Sequence, residues 1–174
     1  MTAHTATANT ENTNTENTNT ENTAPMADIG VVGLGVMGAA IARNFHSRGL
    51  TVATYNRDEP IRHSFAAKYS DERLAVHTDT AAFCAALRRP RKILVMVTAG
   101  RAVDAVLESL APHLERGDIV IDGGNSHFPD TARREQWAVQ RDLRFFGMGV
   151  SGGEEGALLG PAMMPGGDRS GWEE

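Results

Sequence analysis

The chain has 174 residues, 41% hydrophobic and 22% charged, with a formal net charge of −5, which suits one globular domain and excludes a partner recruited by excess basic charge, such as nucleic acid. No apolar stretch approaches the roughly 18 residues that a membrane span requires, and no basic-then-apolar leader opens the chain, so the expectation is a cytoplasmic protein with no membrane partner. A single cysteine, Cys84, excludes an internal disulfide and a thiolate metal cluster; its apolar setting, AAFCAAL, favours a buried small residue over a reactive thiol.

Residues 1–25 repeat Thr, Glu and Asn in a five-residue period and supply three of the net negative charges through Glu11, Glu16 and Glu21. Such a tract cannot bury enough apolar surface to offset its ordering entropy, so it is expected to be a disordered tail. Met26 is a plausible natural start. Residues 26–174 are expected to form one domain in which strands and helices alternate. Asp28–Val32 reads as a strand, Met37–Arg48 as a helix and Thr51–Tyr55 as a second strand. Asp58 is placed to cap a helix that has Pro60 in its first turn. A weak strand at Leu74–His77 precedes a short helix at Thr80–Leu87. Lys92–Val97 is a buried strand, and residues 101–114 are an amphipathic helix. Asp118–Asp122 is a fifth strand, Asp130–Gln140 a helix and Leu143–Gly147 a sixth strand. Alternation of this kind implies right-handed crossovers and a parallel sheet covered on both faces.

Between the first strand and its helix lies Gly33-Leu34-Gly35-Val36-Met37-Gly38, which fits G-x-G-x-x-G in the context that gives the pattern meaning. Gly33 would permit the turn, Gly35 would let a pyrophosphate meet the backbone, and Gly38 would let the helix pack against the strand. An NAD site places an acid at the end of the second strand; here Asn56-Arg57 stands there. Arginine presents a permanently charged planar fork suited to a 2′-phosphate, so NADP is favoured, although a solvated surface arginine is the plain alternative. Asp58 could compete for Arg57, and capping is its better assignment.

The fourth strand runs into Val97-Thr98-Ala99-Gly100 and the fifth into Asp122-Gly123-Gly124-Asn125-Ser126. Both turns lie where open α/β sheets bind ligands. Asn125 is either a ligand contact or a turn residue. The run GMGVSGGEEGALLGPAMMPGG, residues 147–167, reads as a glycine-rich loop. Its Ser151-Gly152-Gly153 offers a hydroxyl and close N–H groups to an anionic substrate. Glu154 and Glu155 are expected to brace the loop or face solvent rather than act as catalytic acids.

These motifs, in this order, resemble the decarboxylating 6-phosphogluconate dehydrogenases over about residues 28–172. The Glu154-Glu155 pair, Gly160-Pro161 and Met164-Pro165-Gly166-Gly167 set the chain apart from the related β-hydroxyacid dehydrogenases. Departures from the family pattern are Thr98 for Lys, Leu158 for Arg and Ala162 for Ser. The resemblance implies an α/β fold of Rossmann type, doubly wound, with a mainly parallel sheet and helices on both faces. It implies NADP bound by Gly33, Leu34, Gly35, Val36, Met37, Gly38, Asn56, Arg57, Val97, Thr98, Ala99 and Asn125. It implies 6-phosphogluconate held by Asn125, Ser151, Gly152 and Gly153. The family's catalytic Lys and Glu, and the helical domain through which it dimerises, lie beyond the last residue. The chain is therefore expected to bind NADP without turnover, to contain no catalytic residue and no metal, and to dimerise doubtfully. Trp172-Glu173-Glu174 is expected to begin a helix, and the sheet to end in a bare, aggregation-prone edge. A self-contained NADP-binding module and a β-hydroxyacid dehydrogenase relative are the rival readings.

Overall fold

The structure is a computed structural model that describes Met1, residues 26–167 and residues 169–171. The tail expected to be disordered and the helix start expected at Trp172 lie outside the described residues.

Strands Ile29–Val32 (β1), Val52–Tyr55 (β2), Leu74–His77 (β3), Lys92–Val95 (β4), Ile119–Asp122 (β5), Arg144–Ser151 (β6) and Ala162–Gly167 (β7) form one seven-stranded sheet in the order β3-β2-β1-β4-β5-β6-β7. Every pairing is parallel except the last, β6 with β7. The helices are Val36–Ser47 (α1), Glu59–Tyr69 (α2), Thr80–Ala85 (α3), Arg101–Leu110 (α4), Phe128–Val139 (α5) and Gly153–Leu159 (α6). The chain order reverses between β1 and β4, which opens a crevice at the carboxyl ends of those two strands.

Alternate strand residues feed two cores, as the period of a strand requires. Val32, Ile93, Val95, Val120 and Phe145 meet Phe83 of α3, Val103, Leu107 and Leu110 of α4 and Ala138 of α5. The intervening residues face α1, α2 and α6. Val31, Val52 and Leu74 pack with Ala42 and Phe65, while Leu94, Met148 and Val150 pack with Ala40, Ile41 and Ala157. This is the doubly wound arrangement expected from the sequence, with helices on both faces.

Several boundaries differ from the sequence reading for local reasons. The helix expected over 101–114 is α up to Leu110 and then a 3₁₀ turn at Ala111–His113 containing Pro112, whose missing N–H cannot continue the ladder. α5 starts at Phe128, ahead of the expected Asp130, with Pro129 in its first turn, where a proline costs no hydrogen bond. The larger difference is at 147–167. β6 continues through Ser151, and the expected glycine-rich loop is instead a strand, a short helix and an antiparallel strand. Met148 pairs with Pro165, and Ser151 with Ala162. The strand beside β6 is thus made from the run itself. Its proline and glycines suit an edge position, because a proline cannot donate to a further strand.

At the amino ends of the strands, opposite the crevice, Asp118 fixes the start of β4. Its carboxylate accepts from the Arg91 N–H at 2.7 Å, from Arg91 Nη1 at 2.8 Å and from the Glu115 N–H at 2.9 Å. Arg91 also donates through Nε to the Cys84 carbonyl at 2.9 Å. Burial pushes the Cys84 thiol up to about 11, which agrees with an inert packed residue rather than a nucleophile. Removing one partner of a buried pair strands the other charge. Asp118→Ala is expected to lower unfolding free energy by about 3–5 kcal/mol, while Arg89→Ala, which breaks the exposed ion pair with Glu115, costs at most about 1 kcal/mol. Urea titrations of both variants measure the contrast, and similar losses would contradict it.

Candidate functional site

The crevice is shaped first by its glycines. Gly33 has φ +100, and a Cβ there would lie 2.4 Å from the Met96 carbonyl oxygen. At Gly38 a Cβ would lie 1.9 Å from the Gly33 carbonyl oxygen. α1 can therefore begin directly against the end of β1 only without those side chains. Gly35 differs: a Cβ on it would meet nothing within 4 Å. Its exposed face looks into the crevice, where a ligand could lie against the backbone.

Gly35 is also the N-cap of α1. It supplies no side-chain cap, and the first helical turn contains no acid. The first N–H groups of a helix lack intrahelical partners, and the dipole makes that end positive. A helix start with no acid and an open approach fits an anion such as a pyrophosphate. Leu34 keeps its side chain out of the crevice. Its side chain is buried beneath the turn, and its N–H donates to Asn56 Oδ1 at 3.0 Å. Val36 is exposed, Met37 half-buried and Gly38 buried.

Asn56 thus braces the turn through its oxygen, while its Nδ2 donates to the Asp58 carbonyl at 3.3 Å. Asp58 caps α2 through Oδ1, which accepts the Ile61 N–H at 3.2 Å, so its competition for Arg57 is resolved in favour of the cap. Arg62, which the sequence reading passed over, fixes the backbone here. Its Nη1 donates to the carbonyls of Asn56 and Arg57 at 2.7 and 2.9 Å. The Arg57 side chain is exposed, and among the described residues no carboxylate pairs with it. It lines one end of a cleft of about 530 Å³ together with Gly33, Gly35, Asn56, Val97 and Thr98. Ala102, Ala105 and Ser109 of α4 supply the opposite wall.

Gly35 and Val97 continue into a second cleft of about 280 Å³ with Val36, Met37, Gly123, Gly124, Asn125 and Val150. The structure therefore gathers the cofactor candidates along one groove, save the side chain of Leu34 and Ala99, which line neither cleft. Ala99 is exposed beside Thr98 in the turn above β4. Asn125 closes the groove at φ 55. Its Oδ1 accepts the Val150 N–H at 2.9 Å and its Nδ2 donates to the Val150 carbonyl at 3.2 Å. Both alternatives for this residue have support, because it is a turn residue pinned to β6 and also a groove wall.

Ser151, Gly152 and Gly153 follow at the end of β6, all exposed, with Gly152 at φ 134 and Gly153 at φ 62. Asn44 of α1 and Arg48, its C-cap, hold the far end of the helix that follows. Asn44 Nδ2 donates to the Leu158 carbonyl at 2.6 Å, and Arg48 Nη2 to the Leu159 carbonyl at 2.8 Å, which satisfies the last carbonyls of α6. Glu154 and Glu155 sit exposed in the first turn of α6, where negative charge suits the dipole. Gly152 is the N-cap, so the bracing expected of a glutamate is not what ends that helix.

Sequence reasoning missed Arg134 altogether. Its side chain is 1% exposed, and it joins the two turns that wall the groove. It bonds Asp122, Ser126, Asp104 and the Gly100 carbonyl, all at 2.8–3.0 Å. An Arg-Arg pair on a helix face after Asp122-Gly-Gly-Asn-Ser carries no distinctive signal, because surface arginines are common. Only burial reveals it. Among the described residues no cluster of metal-ligating side chains occurs, and no helix is long and apolar enough to cross a membrane.

The roles of the glycines separate in a stability measurement. Gly38→Ala is expected to cost about 1–3 kcal/mol through overpacking against backbone. Gly35→Ala, at an ordinary extended backbone with open space ahead, changes stability by at most about 0.5 kcal/mol. Equal losses in denaturant titrations would refute the close approach of α1 to β1.

Comparison with known proteins follows the same lines. Residues 28–174 match the family described as the NAD binding domain of 6-phosphogluconate dehydrogenase. A decarboxylating 6-phosphogluconate dehydrogenase of Lactococcus lactis is 48% identical over 133 residues, which cover 76% of this chain and 28% of that protein. Bacillus subtilis has an NAD(+)-dependent and an NADP(+)-dependent form, each 47% identical, covering 77% and 76% of this chain and 29% and 28% of those proteins. The solved 6-phosphogluconate dehydrogenase of Plasmodium falciparum, described as apo, with NADP+ and with 6-phosphogluconate, superposes with a TM-score of 0.78 at 34% identity, over 84% of this chain and 32% of its own. The chain spans less than a third of the length of these relatives. From the glycine turn through the groove to the family match over nearly all of the described residues, the chain belongs to the NAD-binding domain family of 6-phosphogluconate dehydrogenase.

Proposed function

We propose that this domain binds NADP and serves the oxidative decarboxylation of 6-phosphogluconate to ribulose 5-phosphate, the cofactor half of that reaction being what these residues supply. The observation that carries the choice of NADP is Arg57. Relatives of equal identity include both NAD(+)- and NADP(+)-dependent enzymes, so overall similarity does not select a cofactor. The residue at the end of β2 supports NADP. It is an exposed guanidinium at the rim of the groove, and the neighbouring carboxylate of Asp58 is committed to capping α2. Asp58 also lines that cleft, but its Oδ1 is taken by the Ile61 N–H, whereas Arg57 offers a guanidinium with no partner carboxylate among the described residues, the group a 2′-phosphate requires.

With the 2′-phosphate at Arg57 and the pyrophosphate at the start of α1, the remaining half of the cofactor falls toward Asn125. Bound NADP would supply the hydride acceptor. The chain's residues orient it: Gly35 admits the diphosphate, the Val97–Ala99 turn covers it, and Asn125 closes the far end. The exposed Ser151, Gly152 and Gly153 present a hydroxyl and N–H groups to a sugar acid beside that end. Proton transfer at the substrate C3 hydroxyl needs a base of suitable pKa, and neither lysine here is placed for it. Lys92 opens β4 at the opposite end of the sheet, and Lys68 lies on α2. The domain is a binding half, and the reactive groups belong to the rest of the enzyme.

Fluorescence titration tests the reading. The chain is expected to bind NADPH more tightly than NADH. Arg57→Ala should cost NADPH about 1.5–3 kcal/mol, the range for a hydrogen bond to a charged group, and leave NADH unchanged; equal losses for both would sink it. The chain alone should produce no NADPH from NADP and 6-phosphogluconate above a no-enzyme control, and turnover lost on Asn125→Ala would show that the catalytic groups are present after all.

A further inference from the structure

Two glycine-bearing turns wall the groove, one reaching both clefts and one at the Asn125 end. One is Val97-Thr98-Ala99-Gly100 and the other Asp122-Gly123-Gly124-Asn125-Ser126. Glycines let a ligand come close, and the side chains that anchor the turns from outside the fork are few: Val97 against the core and Asn125 against Val150. A single guanidinium ties both. Arg134 Nη2 donates to the Gly100 carbonyl at 2.9 Å, and Nη1 donates to Asp122 Oδ2 at 3.0 Å and Ser126 Oγ at 2.9 Å. Nε donates to Asp104 Oδ1 at 2.8 Å. Asp122 passes the constraint on, because its Oδ1 accepts the Gly124 N–H at 3.0 Å and its Oδ2 accepts from Ser126 Oγ at 2.7 Å.

At the other end of the groove the fork bonds neither Arg57 nor Asn56, although its bonds to Gly100 and Asp104 reach the start of α4, which walls that cleft. Arg57 and Asn56 are fixed by Arg62 and by Leu34. The wall of α4 is anchored by buried Val103, Leu107 and Leu110. Arg134 lines neither cleft. On the NADP reading above, on which this inference rests, we propose that Arg134 is a positioning residue that bears on the affinity of the nicotinamide half of the cofactor more than on that of the adenosine half. A planar fork with fixed directions holds three chain segments in one geometry. A lysine keeps the charge and cannot reach all three.

The test uses the same chain with two ligands: NADPH, and adenosine 2′,5′-bisphosphate, which carries only the Arg57-side half. Arg134→Lys is expected to weaken NADPH by about tenfold or more, as displaced groups around a reacting centre do. Adenosine 2′,5′-bisphosphate should weaken by about threefold at most, because Arg57 and Asn56 are held by Arg62 and Leu34 and not by this fork. Equal weakening of both ligands, or of neither, overturns the proposal, since a general loosening of the fold cannot split them. Should the lysine chain not fold by circular dichroism, Arg134→Met with Asp122→Asn removes both charges together and keeps an acceptor for the Gly124 N–H. The same split is expected there, and its absence overturns the proposal. An unaltered chain that binds neither ligand would overturn the cofactor reading itself, and this inference with it.

Discussion

The groove depends on how closely α1 approaches the end of β1. A Cβ at Gly38 would stand 1.9 Å from the Gly33 carbonyl oxygen, so the helix starts where almost any other residue would push it away. That contact aims the helix N-terminus across the carboxyl ends of β1 and β4. It leaves Gly35 as the one glycine of the three with open space before it. The remaining features are supports. Asn56 holds the turn from the β2 side, Arg62 holds Asn56 and Arg57, and Asp58 caps α2 beside them.

A binding surface built from glycine turns must borrow rigidity. Here it comes from two polar clamps on opposite faces of the sheet. Arg134, enclosed by Asp104, Asp122, Ser126 and the Gly100 carbonyl, secures the turns after β4 and β5. Asn44 of α1 and Arg48, its C-cap, secure the end of α6, the helix that follows the Ser151–Gly153 segment. The same helix that presents its N-terminus to a diphosphate therefore braces, near its C-terminus, the helix after the proposed substrate segment. Buried polar groups are costly unless they are fully partnered, and Arg134 has four acceptors around it.

The strand–helix alternation and the G-x-G-x-x-G turn were legible because they are local. Strand runs such as Ile93-Leu94-Val95 and the glycine spacing are written in consecutive residues. The Asp58 cap was legible for the same reason. The seventh strand was not, because Ala162–Gly167 has a proline, two glycines and no apolar alternation; it is a strand only by pairing with β6. Arg134 was hidden for a related reason. Nothing adjacent to it distinguishes it from Arg133, which lies on the same helix, is half exposed and pairs with Asp104 and Asp130.

The sequence by itself determined the fold class, the phosphate-facing turn, the residue pair at the end of β2 and the order of the motifs, because each is encoded by neighbours within one element or turn. Only the tertiary structure decided which of those residues face the groove. It turned Leu34 into the core, set Asn125 against Val150, folded the glycine-rich run into an edge hairpin around a short helix, and made one arginine of a pair a buried tie. Those outcomes depend on contacts between segments far apart in the chain, such as Asn125 with Val150 and Asn44 with Leu158. No single stretch of sequence carries the geometry of its distant partner.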